Sequence, residues 1–283
     1  MSIRSERIEV TPKLLRGWGL PDPGESKKSR GTAMVIGGSR LSTGAVLLSG
    51  EAVLRVGAGK VGVTIDASLT DVVRGAFPEA GVHDAPAPGE RADAAWDAAC
   101  EGADAVLVGP GLADPDTARD WLRRLADREI DCLVIDAFAV GVLRDVPRAD
   151  LPPSLIVNAN LEEAEILLGR PVDDLFRDLP ELAHDLNAVV HCYSAVAAPT
   201  GEVWELDAGG AGLGTAGSGD VLAGAITGFA ARGLSPERAA VWGAWTHARA
   251  GDRLAEKKGL GFLARELVGE LPAAILEVGG SSF

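Results

Sequence analysis

Short runs of branched apolar residues alternate along the chain with longer segments rich in Ala and Leu. The runs TAMVI (32–36), VGVTI (61–65), AVLVG (105–109), CLVID (132–136), SLIVN (154–158) and AVVHCY (188–193) are apolar at almost every position. A strand buried on one face alternates with polar residues, whereas a strand buried on both does not. These six therefore predict strands inside a parallel sheet. The segments 43–56, 92–100, 116–127, 161–168 and 174–186 predict helices. Strand alternating with helix implies right-handed crossovers and helices on both faces of a mostly parallel sheet. The predicted fold class is α/β, a three-layer αβα sandwich. Residues 195–206 read as a two-strand hairpin turning at 199–201, where Pro and Gly supply the turn. Three helices follow with no strand between them, near 218–232, 236–256 and 262–278. Residues 1–31 are polar and rich in Pro and Gly, and read as an arm or cap rather than core. No linker composition or internal repeat divides the rest, so a single domain over residues 1–283 is the economical reading.

Composition narrows the function classes. Apolar residues make up 47% and charged residues 24% of 283 positions, which is ordinary globular usage. The 27 basic residues face 41 acidic ones, for a net charge of −14. That charge repels a phosphate backbone, so no nucleic-acid partner is expected, although local amides can still hold a nucleotide. No apolar stretch approaches the roughly 18–20 residues of a membrane helix. The opening MSIRSERIEV has no apolar signal core. The expectations are no membrane partner and a cytoplasmic protein. Cys100, Cys132 and Cys192 are odd in number and widely spaced, and read as reduced, buried thiols. His83, His184, His191 and His247 lack metal-ligand spacing, so no zinc or iron site is expected.

The segment GGAGLGTAGSGDVLAG (209–224) carries the chemistry. Glycines let a backbone turn tightly and come close to a ligand. A helix opening near Ser218 leaves its first N–H groups unpaired at the positive end of its dipole. Together they make a site for a phosphate or a developing anion. Asp220 falls in that first turn. It can be an acid that complements the dipole, worth roughly 0.3–1 kcal/mol. It can also be a base that takes the proton from a hydroxyl attacking a phosphoryl group. No GK[ST] follows the glycines, and no first strand precedes a G-x-G-x-x-G, so neither a P-loop nor a dinucleotide fingerprint is present.

GSGDVLAG (217–224) resembles the signature of the ADP/ATP-dependent NAD(P)H-hydrate dehydratase family, a branch of the ribokinase-like superfamily. GGSRLSTGAVLLSGEAVLRVGAGKVGV (37–63), VGPGL (108–112), LVIDAFAV (133–140) and THARAGD (246–252) resemble further family segments in the same order. The resemblance runs from about Thr11 to the C-terminus. It implies a ribokinase-like domain that repairs hydrated NADH or NADPH. A nucleotide phosphoryl group would go to the ring hydroxyl, and phosphate would then be eliminated. It implies ADP or ATP as donor, Mg²⁺, and a homo-oligomer, dimer or tetramer. The Ala- and Trp-rich segment 239–250 reads as an interface or as core. By the same resemblance Asp220 is the base and the amides of 217–220 stabilise the transferring group. Ala45 and Gly111 fall where the family contacts the hydrated nucleotide.

Two positions depart from the family's pattern. Thr-Pro-His after the fifth strand is here Asn158-Ala159-Asn160, so Asn160 stands in place of a substrate-binding His and cannot carry charge. Asn160-Leu161-Glu162-Glu163 also fits the N-x-x-E of ribokinase-type sugar kinases, which makes Glu163 a candidate for Mg²⁺ through water. Alternatively, Asn160 is a helix N-cap and Glu163 its capping-box acid. The family's Lys-Gly-x-x-Thr corresponds to Val190, His191, Cys192, Tyr193 and Ser194. These are nucleotide-binding candidates with Gly217, Ser218 and Gly219, and the Lys is absent. His191 either substitutes for it or is a core residue ending a buried strand. Tyr193 either packs on a base or covers the sheet edge. His247, close in sequence to Trp242 and Trp245, reads as helix packing. Two alternative functions remain at this level: a kinase for a small hydroxylated metabolite, and a non-catalytic nucleotide-binding relative.

Overall fold

The computed structural model describes residues 6–87, 90–126 and 128–279. Strand β1 (Glu6–Val10) and helix α1 (Pro12–Trp18) lead into β2 (Thr32–Ile36), α2 (Thr43–Arg55), β3 (Lys60–Ile65), α3 (Thr70–Ala76) and β4 (Gly81–Asp84). Then come α4 (Ala94–Glu101), β5 (Ala105–Val108), α5 (Pro115–Leu125), β6 (Cys132–Ile135), the single turn α6 (Phe138–Gly141), β7 (Leu155–Ala159), α7 (Leu161–Leu168) and α8 (Leu175–Leu186). The chain finishes with β8 (Val189–Cys192), β9 (Ala195–Ala197), β10 (Glu202–Leu206), α9 (Ser218–Ala231), α10 (Pro236–Lys258) and α11 (Ala264–Gly279).

The strands form one sheet in the order β1-β10-β9-β8-β7-β6-β5-β2-β3-β4. Every pairing is parallel except the two made by β9. The uniform apolarity of the inner strands has a direct cause. Ala33 and Val35 of β2 join the core under α2, α9, α10 and α11, while Met34 and Ile36 join the core under α4, α5, α7 and α8. Both faces of each inner strand are thus buried, and the expected three-layer α/β sandwich is present.

The N-terminal segment differs from its reading as an arm. β1 pairs along its whole length with β10, Arg7 forms an ion pair with Glu205, and Leu15 of α1 is fully buried in the core. Segment 239–250, read as interface or as core, contributes to the core. Ala239, Ala240, Val241, Trp242, Ala244 and Trp245 are buried within the single chain. Among the described residues, no helix is long and apolar enough to cross a membrane. The three cysteines are buried free thiols, and burial pushes Cys132 up to about 12.

Candidate active site

Strand order reverses between β2 and β5, and in such sheets the crevice for ligands opens beyond the carboxyl ends at that point. Here the loops after β2, β5 and β6 are laced together at backbone distance. Gly38 N–H donates to Pro110 C=O at 2.8 Å. A side chain at Gly109, which adopts φ +128°, would collide with Asp136 C=O. At Gly111 (φ +67°) an added Cβ would lie 2.7 Å from Ala45 Cβ and 2.6 Å from Ser42 C=O. The two proposed substrate contacts, Ala45 and Gly111, are therefore side by side at the switch point, one opening α2 and the other following β5.

The glycine-rich segment ends at Gly217 (φ +88°), which caps α9 with no side-chain partner. Ser218 N–H turns back to Thr215 C=O at 3.1 Å, and Val221 N–H begins the helical ladder on Gly217 C=O. The amides of Gly217, Gly219 and Asp220 meet no acceptor among the described residues. Ser218 thus drops out of the set of free amides, and the other three remain. The Asp220 carboxyl lies over Gly217, at 3.8 Å from where a Cβ there would stand. Partial burial pushes this carboxyl up to about 6. Asp220 C=O accepts from Ser49 Oγ of α2 at 3.0 Å, which ties α9 to the helix carrying Ala45.

Helix α10 supports the glycine loop from below, a role that its sequence did not announce. His247 is buried, with Nε2 at 3.0 Å from Ser218 C=O and 2.9 Å from Ser218 Oγ. Burial lowers this imidazole to about 4, so it is neutral and Nε2–H donates to the carbonyl. Asp252 accepts from Gly209 N–H at 3.2 Å at the start of the loop. Replacing His247 by Ala removes a second donor to the Ser218 carbonyl and the partner of the buried Ser218 hydroxyl, at a cost of about 1–3 kcal/mol. Urea unfolding of His247→Ala checks this, and an unchanged midpoint would deny His247 the supporting role.

Asn160 and Glu163 form a capping box. Glu163 N–H donates to Asn160 Oδ1 at 2.9 Å, and Asn160 N–H donates to Glu163 Oε2 at 3.0 Å. Among the described residues the amide NH₂ of the exposed Asn160 and Glu163 Oε1 meet no protein partner. A carboxylate oxygen held one water away suits Mg²⁺, which retains most of its hydration shell. Among the described residues no three His, Cys, Asp or Glu side chains converge on a direct cation site.

The candidates on β8 divide by face. Val190 and Cys192 point into the core under α8, and His191 is buried on the opposite face with both ring nitrogens bonded. Only Tyr193, 62% exposed, and the half-buried Ser194 present side chains at the surface. These two form the turn into β9, with Tyr193 at φ +50°. Asp136, which sequence reading treated only as a strand end, sits among these groups. Burial, together with Glu163 and Asp220, raises its carboxyl well above the ordinary range. A cavity of about 510 Å³ between Trp18 and Arg238 lies at the far end of α9 and includes none of these residues.

The family model described as NAD(P)H-hydrate dehydratase matches residues 33–273. The chain is 39% identical to the ADP-dependent (S)-NAD(P)H-hydrate dehydratase of Xanthomonas campestris, over 94% of this chain and 95% of that one. It is 33% identical to the enzyme of the same name from Neisseria meningitidis, over 88% and 85%. Among solved structures, the ADP/ATP-dependent NAD(P)H-hydrate dehydratase of Bacillus subtilis co-crystallized with ATP/Mg²⁺ superposes with a TM-score of 0.80 at 24% identity, covering 95% and 97% of the two chains. A ribokinase-like superfamily protein of Enterococcus faecalis superposes with a TM-score of 0.82 at 24% identity, covering 96% of each. The structural likenesses bear out the ribokinase-like fold.

Proposed function

Because the chain belongs to the NAD(P)H-hydrate dehydratase family, we propose that it is a nucleotide-dependent lyase that restores hydrated NADH or NADPH, with Asp220 as its base. The observation that carries this reading is the half-buried Asp220 carboxyl, which stands beside free first-turn amides.

The chemistry follows from leaving groups. Hydroxide leaves a carbon poorly, whereas phosphate leaves well. Asp220 takes the proton of the ring hydroxyl as its oxygen bonds to the terminal phosphorus of ADP or ATP. The donor's phosphoanhydride P–O bond breaks. The ring C–O bond then breaks, inorganic phosphate departs with the hydroxyl oxygen, and the adjacent ring carbon gives a proton to that phosphate, which restores the C=C bond of the dihydronicotinamide. The amides of Gly217, Gly219 and Asp220 are placed to stabilise charge on the moving phosphoryl oxygens. Ala45 and Gly111 give the substrate close backbone approach, and the Asn160 NH₂ offers it a hydrogen bond. Tyr193 and Ser194 offer the nucleotide side-chain contact, while Val190, His191 and Cys192 shape that turn from within. Mg²⁺, held through water at Glu163, would neutralise charge on the donor phosphates. The N-x-x-E spacing that suggested a metabolite kinase also forms a helix capping box, which leaves a Mg²⁺ role for Glu163 open.

The elevated Asp220 sets a pH dependence. The base must be ionised, so turnover is full above the carboxyl value of about 6 and falls in proportion to acidity below it. A pH profile of kcat/KM, which reports the unliganded enzyme, showing an acidic limb near that value is expected. A rate flat down to the ordinary carboxylate range would place the base elsewhere. The function itself is tested by incubating hydrated NADPH with ADP or ATP and Mg²⁺. The near-ultraviolet absorbance of the reduced ring should return, and no recovery with either nucleotide would defeat the proposal.

A further inference from the structure

Strands β6, β7 and β8 lie side by side and parallel. Val134, Ile156 and Val189 of these strands belong to the core under α9 and α10. Because side chains alternate along a strand, Asp136, Asn158 and His191, two residues further on, lie on that same face. All three are buried. The Asn158 amide is 2.8 Å from Asp136 Oδ1 and 2.7 Å from His191 Nδ1. His191 Nε2 is 2.9 Å from Tyr193 C=O. The result is an unbroken chain from a carboxyl group to the backbone of the turn after β8.

Hydrogen positions follow from what each atom can do. A backbone carbonyl only accepts, so His191 Nε2 must carry a hydrogen. Asn158 has one donating and one accepting end, and the amide rotated by half a turn fills the same space. With one proton shared between Asp136 and His191, two arrangements satisfy every contact. In one, Asn158 Nδ2–H donates to an Asp136 carboxylate, and an imidazolium donates from Nδ1 to Asn158 Oδ1. In the other, Asp136 is a carboxylic acid whose O–H donates to Asn158 Oδ1, and Asn158 Nδ2–H donates to the lone pair of a neutral His191 Nδ1. Both contain the same number of protons. They differ by one proton moved between the ends and the amide turned over.

The second arrangement suits the surroundings. Burial first, and then the charges of Glu163 and Asp220, oppose ionisation of Asp136; the Asn158 amide and the Ala137 N–H favour its anion, but no cation does. A charge on His191 would oppose one on His247 of α10. Burial lowers His191 to about 4. A buried pair of separated charges here would be costly, and the neutral chain avoids that cost.

We propose that Asp136, Asn158 and His191 are positioning residues that share one proton, resting as acid, turned amide and neutral imidazole, and that they fix the Tyr193–Ser194 turn against the nucleotide. The second half rests on the proposed function, which places nucleotide at that turn. It explains how Tyr193 is held at φ +50°, a region uncommon for a bulky non-Gly residue. It also assigns work to three buried polar side chains that the reaction does not itself consume.

The test uses nitrogen NMR on the intact, histidine-labelled chain and nucleotide binding by calorimetry. His191 should show one pyrrole-type and one pyridine-type nitrogen near neutral pH, and two pyrrole-type nitrogens would overturn the resting form. Asp136→Ala should weaken nucleotide binding about tenfold by leaving the Asn158 carbonyl unpaired. Asp136→Asn, which supplies a permanent N–H donor, should recover most of that loss. Equal damage in both variants would mean that Asp136 works as a carboxylate and would overturn the proposal. A wild-type chain that binds no nucleotide would overturn the role of the turn. Lost dehydratase activity beside the expected spectrum and binding would count against the proposed function alone.

Discussion

Asp220→Asn should lower kcat by about a hundredfold or more, with KM for both ligands nearly kept. Asn has the shape of Asp, so the first turn of α9 and its free amides stay in place. Ser49 Oγ still donates to the backbone carbonyl of residue 220. Only the ability to accept a proton disappears. The substitution also removes a half-buried carboxyl whose ionisation burial opposes, so the variant should unfold no more readily than the parent. Loss of turnover with retained thermal stability separates a chemical role from the dipole-complementing one. A first-turn acid that served only the dipole would cost some stability and leave turnover near that of the parent.

The second large effect is on the scaffold. Gly224→Val should destabilise the fold by about 3 kcal/mol, at the upper end of the overpacking range. Helices α2 and α9 cross at backbone contact. A Cβ at Gly224 would lie 2.2 Å from Ser49 C=O and 2.7 Å from Ser49 Cα, and one at Gly228 would lie 2.7 Å from Val53 C=O. The obstruction is backbone, which cannot swing aside as a flexible side chain can, so the helices must part. That displaces Asp220 on α9 from Ala45 on α2, and turnover should fall even well below the melting temperature. Gly269→Ala serves as the control. It lies inside α11 with nothing within 4 Å, and should gain roughly 0.5–1 kcal/mol from helix propensity. Equal midpoints for Gly224→Val and the parent in guanidinium unfolding would show that the helix crossing is not the constraint described.

The inner strands were readable from pattern because burial on both faces writes a continuous apolar run. The edges were not. β1 has the sequence ERIEV and β4 GVHD. Each has one neighbour, and each tolerates the charges that disguise an edge strand. At the site, Asp220 and its glycines announced themselves locally, since a loop and a helix start are adjacent in sequence. His247 did not, because its partner Ser218 is 29 residues away and nothing in THARAGD says which way the ring points. Asp136, Asn158 and His191 each looked like the polar end of a strand. Their connection depends on register between β6, β7 and β8, which single-strand patterns do not encode. Val190 and Cys192 show the converse: a five-residue motif across a strand end necessarily places alternate side chains on opposite faces.

If Asp220 and the α9 amides act as proposed, the ring hydroxyl leaves as phosphate. Hydrated NADPH carrying heavy oxygen in that hydroxyl, turned over with unlabelled ADP or ATP, tests it by mass spectrometry of the products. The label should appear in inorganic phosphate. Label recovered in water would contradict it, because the hydroxyl would then have left without ever bonding to phosphorus.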